Sequence, residues 1–155
     1  MAEKSNPISS PKAGTVVFVT VRKLSVPMLL LKYDGKGLWM CCKVSTNVQE
    51  ASGNDLILRD HPAFQASVVI EAWNGLHLHV EDLPADFYPA LTKQELAWVW
   101  ELLKAHQNNE SVPVSLRFLT GKPFSYEDDP RFDHYYKEMG IVEMIRLKFH
   151  EGYVF

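Results

Sequence analysis

A chain of 155 residues, 46% of them hydrophobic, has the length and apolar content of one globular domain with a sizeable core, which leaves little room for a second domain. Its formal net charge of −3 gives no overall attraction to nucleic acid, so any such site must be a local patch, with Arg22, Lys23, Lys32, Lys36 and Lys43 the densest cations. No apolar run approaches the ~18 residues of a membrane span, and the opening "MAEKSNPISSPKAG" lacks a signal peptide's apolar stretch, which predicts a cytoplasmic protein without a membrane partner.

Residues 1–13, with Pro7, Ser9, Ser10 and Pro11, read as a disordered leader. "GTVVFVTV" (14–21) is a β-branched and aromatic strand that ends at the polar "RKLS". A second strand follows in "VPMLLLKY" (26–33), where Pro27 is tolerable at a strand start or an edge, and "DGKG" turns the chain into "LWMCCKV" (38–44). Cys41 and Cys42 are adjacent on that strand, so they face opposite sides and cannot easily pair. After the polar loop 45–53, "NDLILRD" is a strand and "HPAF" a bend. "ASVVIEAW" and "LHLHV" then flank Asn74-Gly75, a strong signal for a type I′ hairpin. Alternation places Leu76, Leu78 and Val80 on one face and His77 and His79 on the other. The H-x-H pair has donors suited to zinc, but no third ligand stands at a recognisable spacing, so we read two solvent-facing histidines and expect no metal or cofactor.

Thr92 and Glu95 form a T-x-x-E capping box with Leu91 and Leu96 as a hydrophobic staple, which predicts a helix from Thr92 to about Asn108 and Asn109. Leu96, Val99, Trp100 and Leu103 make its core-facing stripe. Trp98 and Leu102 leave a second apolar edge for a subunit partner or for the C-terminal segment. Beyond it, "VPVSLRFLT" (112–120) and "VEMIRLKFH" (142–150) read as strands, with a short helix between them ending at Gly140.

This order of elements resembles the PemK/MazF-type growth-inhibitor family of toxin–antitoxin ribonucleases. The matching pieces are the strand from Gly14 to Val21, Val26-Pro27, Val44-Ser45, Ser67-Val68-Val69, and Leu91-Thr92 with Glu95-Leu96, over residues 14–105. The resemblance implies a mainly β fold with α: an SH3-like antiparallel β-barrel of about five to seven strands with one major packed helix (14–106). A β-rich C-terminal extension (107–155) packs on it. It also implies a homodimer, single-stranded RNA as substrate and an antitoxin as protein partner.

Such enzymes cleave RNA without metal by activating the 2′-OH, which needs a cation near the phosphorane. The family places an Arg before the Pro of the second strand, a Thr or Ser at the end of the third, and an Arg and an acid after the Ser-Val-Val strand. Here Val26, Ile70 and Ala72 occupy the charged positions. Ser45 fits its motif, with Lys43 and Thr46 beside it as RNA-binding candidates, and Arg22 and Lys23 are the nearest substitute cations. Ser45 also suits ordinary turn chemistry after a strand. Two functions therefore stand: an endoribonuclease using Ser45, Arg22 and Lys23, or a non-catalytic barrel that binds a protein or nucleic-acid partner.

Overall fold

The computed structural model describes residues 11–89 and 91–151; the first ten residues of the expected leader lie outside that range. From Lys12 onward the chain is held, since the Thr15 N–H and hydroxyl both donate to the Lys12 carbonyl, at 3.1 and 2.7 Å. Strands β1 (Thr15–Val21), β2 (Leu24–Tyr33), β3 (Leu38–Ser45), β4 (Leu56–His61), β5 (Ala66–His79) and the two-residue β6 (Tyr88–Pro89) form one antiparallel sheet in the order β4-β5-β3-β2-β1-β6. No ladder joins β4 to β6, so the sheet is open where the sequence reading expects a closed barrel. The outer edge of β4 is taken instead by the segment after the first helix. There the Ile57 N–H donates to the Leu119 carbonyl at 2.6 Å, and Leu56 bridges Thr120.

Helices α1 (Lys93–Gln107) and α2 (Arg131–Arg146) lie on opposite faces of this sheet. Under α1, Val99, Leu102 and Leu103 pack with Leu29, Cys42, Val44, Leu56 and Ile70. Under α2, Val142 and Ile145 pack with Val17, Val19, Met28, Leu30, Cys41 and Leu78. Burial on both faces explains the uninterrupted apolar runs Val16-Val17 in β1 and Met28-Leu29-Leu30-Leu31 in β2. Cys41 and Cys42 enter different cores, as their adjacency predicts.

The capping box of α1 is present in both directions: Glu95 N–H donates to Thr92 Oγ1 at 3.1 Å, and Thr92 N–H to Glu95 Oε1 at 2.8 Å. The expected second edge is also filled. Leu102 is buried, and Trp98 packs on the same core as Val112, Leu116 and Leu119 of the C-terminal segment.

Two further expectations are corrected. The predicted hairpin at Asn74-Gly75 does not form, because β5 runs through both residues and neither has positive φ. Its ladder to β3 jumps from Cys42↔Gly75 to Lys43↔Glu71, so residues 72–74 are looped out as a wide bulge. The β-rich C-terminal extension is instead largely helical: residues 142–150 belong to α2 and the π-helical turn (Leu147–Glu151), and residues 112–120 contain only a 3-10 turn (Val114–Leu116). Ile145-Arg146-Leu147-Lys148-Phe149 alternates as a strand would, yet Glu138, Val142 and Ile145 recur at helical spacing, and burial against the sheet decides for the helix. Pro27 sits inside β2 but on a locally free edge, one of the two settings that the sequence allows it. Its missing N–H costs little because the ladder to β3 begins only at Met28↔Lys43.

Candidate functional site

Lys43 and Ser45 share the α2-facing side of β3 with Cys41, by strand alternation. Neither is displayed to solvent. The Lys43 side chain is 8% exposed, and its ammonium donates to Glu138 Oε1 of α2 at 2.5 Å and to its neighbour's carbonyl, Val44 O, at 3.3 Å. Ser45 is buried at 8%, and its hydroxyl accepts the Asn47 N–H at 3.1 Å, the turn geometry that its setting in the sequence allows. Thr46 is exposed at the head of the following loop.

Arg22 and Lys23 form the exposed two-residue tip of the β1–β2 hairpin, both at positive φ (46° and 70°), the conformation of a type I′ turn. Continuing the β2–β3 register two residues beyond Met28↔Lys43 brings Ser45 level with Val26, so this tip and Ser45 stand at the same end of the sheet. Val26 is buried in the α2-side core, while Ile70 and Ala72 are buried in the α1-side core. The three positions that would carry charge in the resembled family therefore lie in apolar interior.

What the structure assembles instead is a polar cluster between β3, β5 and α2. Lys43 pairs directly across the ladder with Glu71, and the bulge delivers Asn74, whose Nδ2 donates to Glu71 Oε1 and to the Glu138 carbonyl, each at 3.0 Å. Burial pushes the Glu71 carboxyl up to about 9, and the facing Glu138 reinforces the shift. Burial would raise Glu138 too, but contacts with Glu71 and Lys43 outweigh it and hold that carboxylate below its ordinary range. The consistent state is a neutral Glu71 beside a Glu138 carboxylate paired with Lys43. His134, one turn before Glu138, completes the group. One donor atom from each of Glu71, His134 and Glu138 lies within 4.8 Å of the others, so these are the residues that could hold a metal.

Flanking contacts fix this cluster. Trp73, projected by the bulge, stacks on Tyr135 with centroids 4.2 Å apart and donates to Asp55 Oδ1 at 2.6 Å. Arg131 at the start of α2 donates to the carbonyls of Ala51, Lys122 and Pro123 at 2.7–2.8 Å and pairs with Asp129 at 2.8 Å. On the other face, His61 accepts the Ala63 N–H at Nδ1 and so donates from Nε2 to Glu95 Oε1 at 2.8 Å, which joins β4 to the cap of α1. Beside that pair a cleft of about 340 Å³ is lined by Arg59, Pro62, Trp98 and Phe118. His77 and His79 are both exposed, as alternation predicts.

Sequence reasoning missed Glu71, Asn74, His134 and Glu138. One signal was available: Glu71 interrupts an otherwise apolar run at a position whose alternation faces a core.

No protein-family model matches the chain, and no curated protein sequence does. Among solved structures, a similar chain belongs to a complex described as an endoribonuclease with its cognate antitoxin from a mycobacterial species. It is 14% identical, with a TM-score of 0.49, over 68% of this chain and 100% of that one. None of the described helices is long and apolar enough to cross a membrane.

Proposed function

We propose that this chain is a toxin-type scaffold that works as a non-catalytic binding module. The observation that carries this reading is the Lys43–Glu138 pair: α2 covers the face on which Lys43, Ser45 and Val26 stand and takes the buried Lys43 ammonium as its own partner. A ribonuclease needs that face open to a polyanion and a free cation at the phosphorane, and substituting one such donor commonly costs ~10²–10³ in rate.

The partner we infer is a protein. Phe118, Tyr126 and Tyr136 are 96%, 75% and 61% exposed, and Phe118 stands with Trp98 at the cleft between β4 and α1, whereas the net charge disfavours nucleic acid.

A second reading keeps the metal-independent endoribonuclease, with Ser45 at the scissile phosphate, Arg22 and Lys23 as cations, Lys43 and Thr46 on the RNA, and a homodimer and an antitoxin as its assembly. One feature favours it: the exposed Arg22-Lys23 tip lies at the Ser45 end of the sheet. A mixed RNA pool incubated with the full chain in EDTA between pH 6 and 9 separates the two. The binding-module reading expects uncut RNA. Cleavage that disappears in Ser45→Ala and in Arg22→Ala with Lys23→Ala would establish the ribonuclease instead.

A further inference from the structure

We propose that Glu71, His134 and Glu138 form a binding site for one divalent transition-metal cation of the zinc class, set between β5 and α2. The proposal goes beyond the binding-module reading and stands whether or not the sheet face is catalytic.

His134 and Glu138 are four residues apart on α2 and so project from one face of it, while Glu71 meets them from the sheet. Their donor atoms lie within 4.8 Å of one another. Ligands held at about 2.0–2.2 Å from a tetrahedral zinc sit roughly 3.3–3.6 Å apart, so side-chain shifts on the order of 1 Å close the site.

The surroundings are those of a supported metal site. Each carboxylate has one oxygen fixed by a donor, Lys43 Nζ on Glu138 Oε1 at 2.5 Å and Asn74 Nδ2 on Glu71 Oε1 at 3.0 Å. The two carboxyls also face each other, with a hydrogen bond between Glu71 and Glu138. His134 is partly buried, and neither of its ring nitrogens has a hydrogen-bond partner among the described residues. A cation entering between the two carboxyls displaces the proton of their hydrogen bond, so binding releases one proton. Donors that orient ligating carboxylates in this way are a regular part of protein metal sites. Two carboxylate oxygens with one imidazole nitrogen suit zinc, cobalt or manganese better than an all-oxygen cation such as calcium. Lys43 stays as the donor on Glu138 Oε1 while the metal takes the other oxygen.

The test is calorimetric titration of the untagged full chain with Zn²⁺, paired with the visible absorption of its Co²⁺ form and its thermal midpoint with and without Zn²⁺. One equivalent should bind, Co²⁺ should give ligand-field bands, and Zn²⁺ should raise the midpoint. Glu71→Gln keeps the side-chain shape, and His134→Ala removes a group with no hydrogen-bond partner among the described residues. With folding verified by circular dichroism, each should weaken binding roughly tenfold or more. Exposed His77 and His79 are the competing donors, and His77→Ala with His79→Ala should leave the affinity unchanged. The proposal is overturned if Zn²⁺ and Co²⁺ fail to bind saturably below ~1 mM. It is equally overturned if both cluster variants bind like wild type, or if binding is lost in the His77/His79 variant.

Discussion

Replacing Glu71 with Gln should change how stability depends on pH. In the folded chain the Glu71 carboxyl titrates at about 9, against an ordinary 4.5. Between those values the folded state holds a proton that the unfolded state has released. The stability linked to that proton is complete below pH 4.5, falls as pH rises, and is lost above 9, with a slope of up to about 1.4 kcal/mol per pH unit. Gln is permanently neutral, its amide oxygen can still accept from Asn74, and its amide N–H can donate to Glu138, so the variant lacks this slope. From pH 6 to 8 the wild type should lose about 2–3 kcal/mol relative to Glu71→Gln. Urea unfolding followed by far-UV circular dichroism at each unit of pH measures the difference, and titrating groups outside the cluster cancel between the two proteins. Parallel profiles would refute the reasoning, because they would mean that Glu71 ionises in the folded chain at its ordinary pH.

Lys43→Met leaves Glu138 buried without its cation and should cost about 3–5 kcal/mol at neutral pH in denaturant unfolding, with a smaller cost in Lys43→Met/Glu138→Gln than in the two singles summed. Thr92→Ala removes one half of the capping box and should cost about 0.5–2 kcal/mol in the same assay. Two glycines should respond with opposite signs. Gly140 lies inside α2 with nothing within 4 Å of an added Cβ, so Gly140→Ala should stabilise by about 0.5–1 kcal/mol. At Gly75 the Cβ would meet the Cys41 carbonyl oxygen at 2.6 Å, so Gly75→Ala should destabilise by about 1–3 kcal/mol in thermal or urea unfolding.

The strands from β1 to β4, the opposed cysteines and the α1 cap were legible because each depends on neighbours in sequence: alternation, turn residues, or a pair three positions apart. Asn74-Gly75 misled because its local preference for a turn is overridden by the tertiary contacts of the bulge, where Asn74 is tied to Glu71 and Glu138. The strand pattern of residues 142–150 yields to the helix for a similar reason, since Val142 and Ile145 of α2 are buried against an apolar sheet face far away in sequence. Lys43 and Glu138 are 95 positions apart, so the contact that closes the candidate site has no local sequence signature.

Closure of that face by α2 is the central claim, and amine-reactive labelling of the native full chain, read by mass spectrometry, tests it most directly. Exposed Lys23 and Lys36 should be acylated promptly, while Lys43 remains unmodified until the chain is unfolded. Acylation of Lys43 in the folded protein at the rate of Lys23 would show the face to be open and would contradict the account.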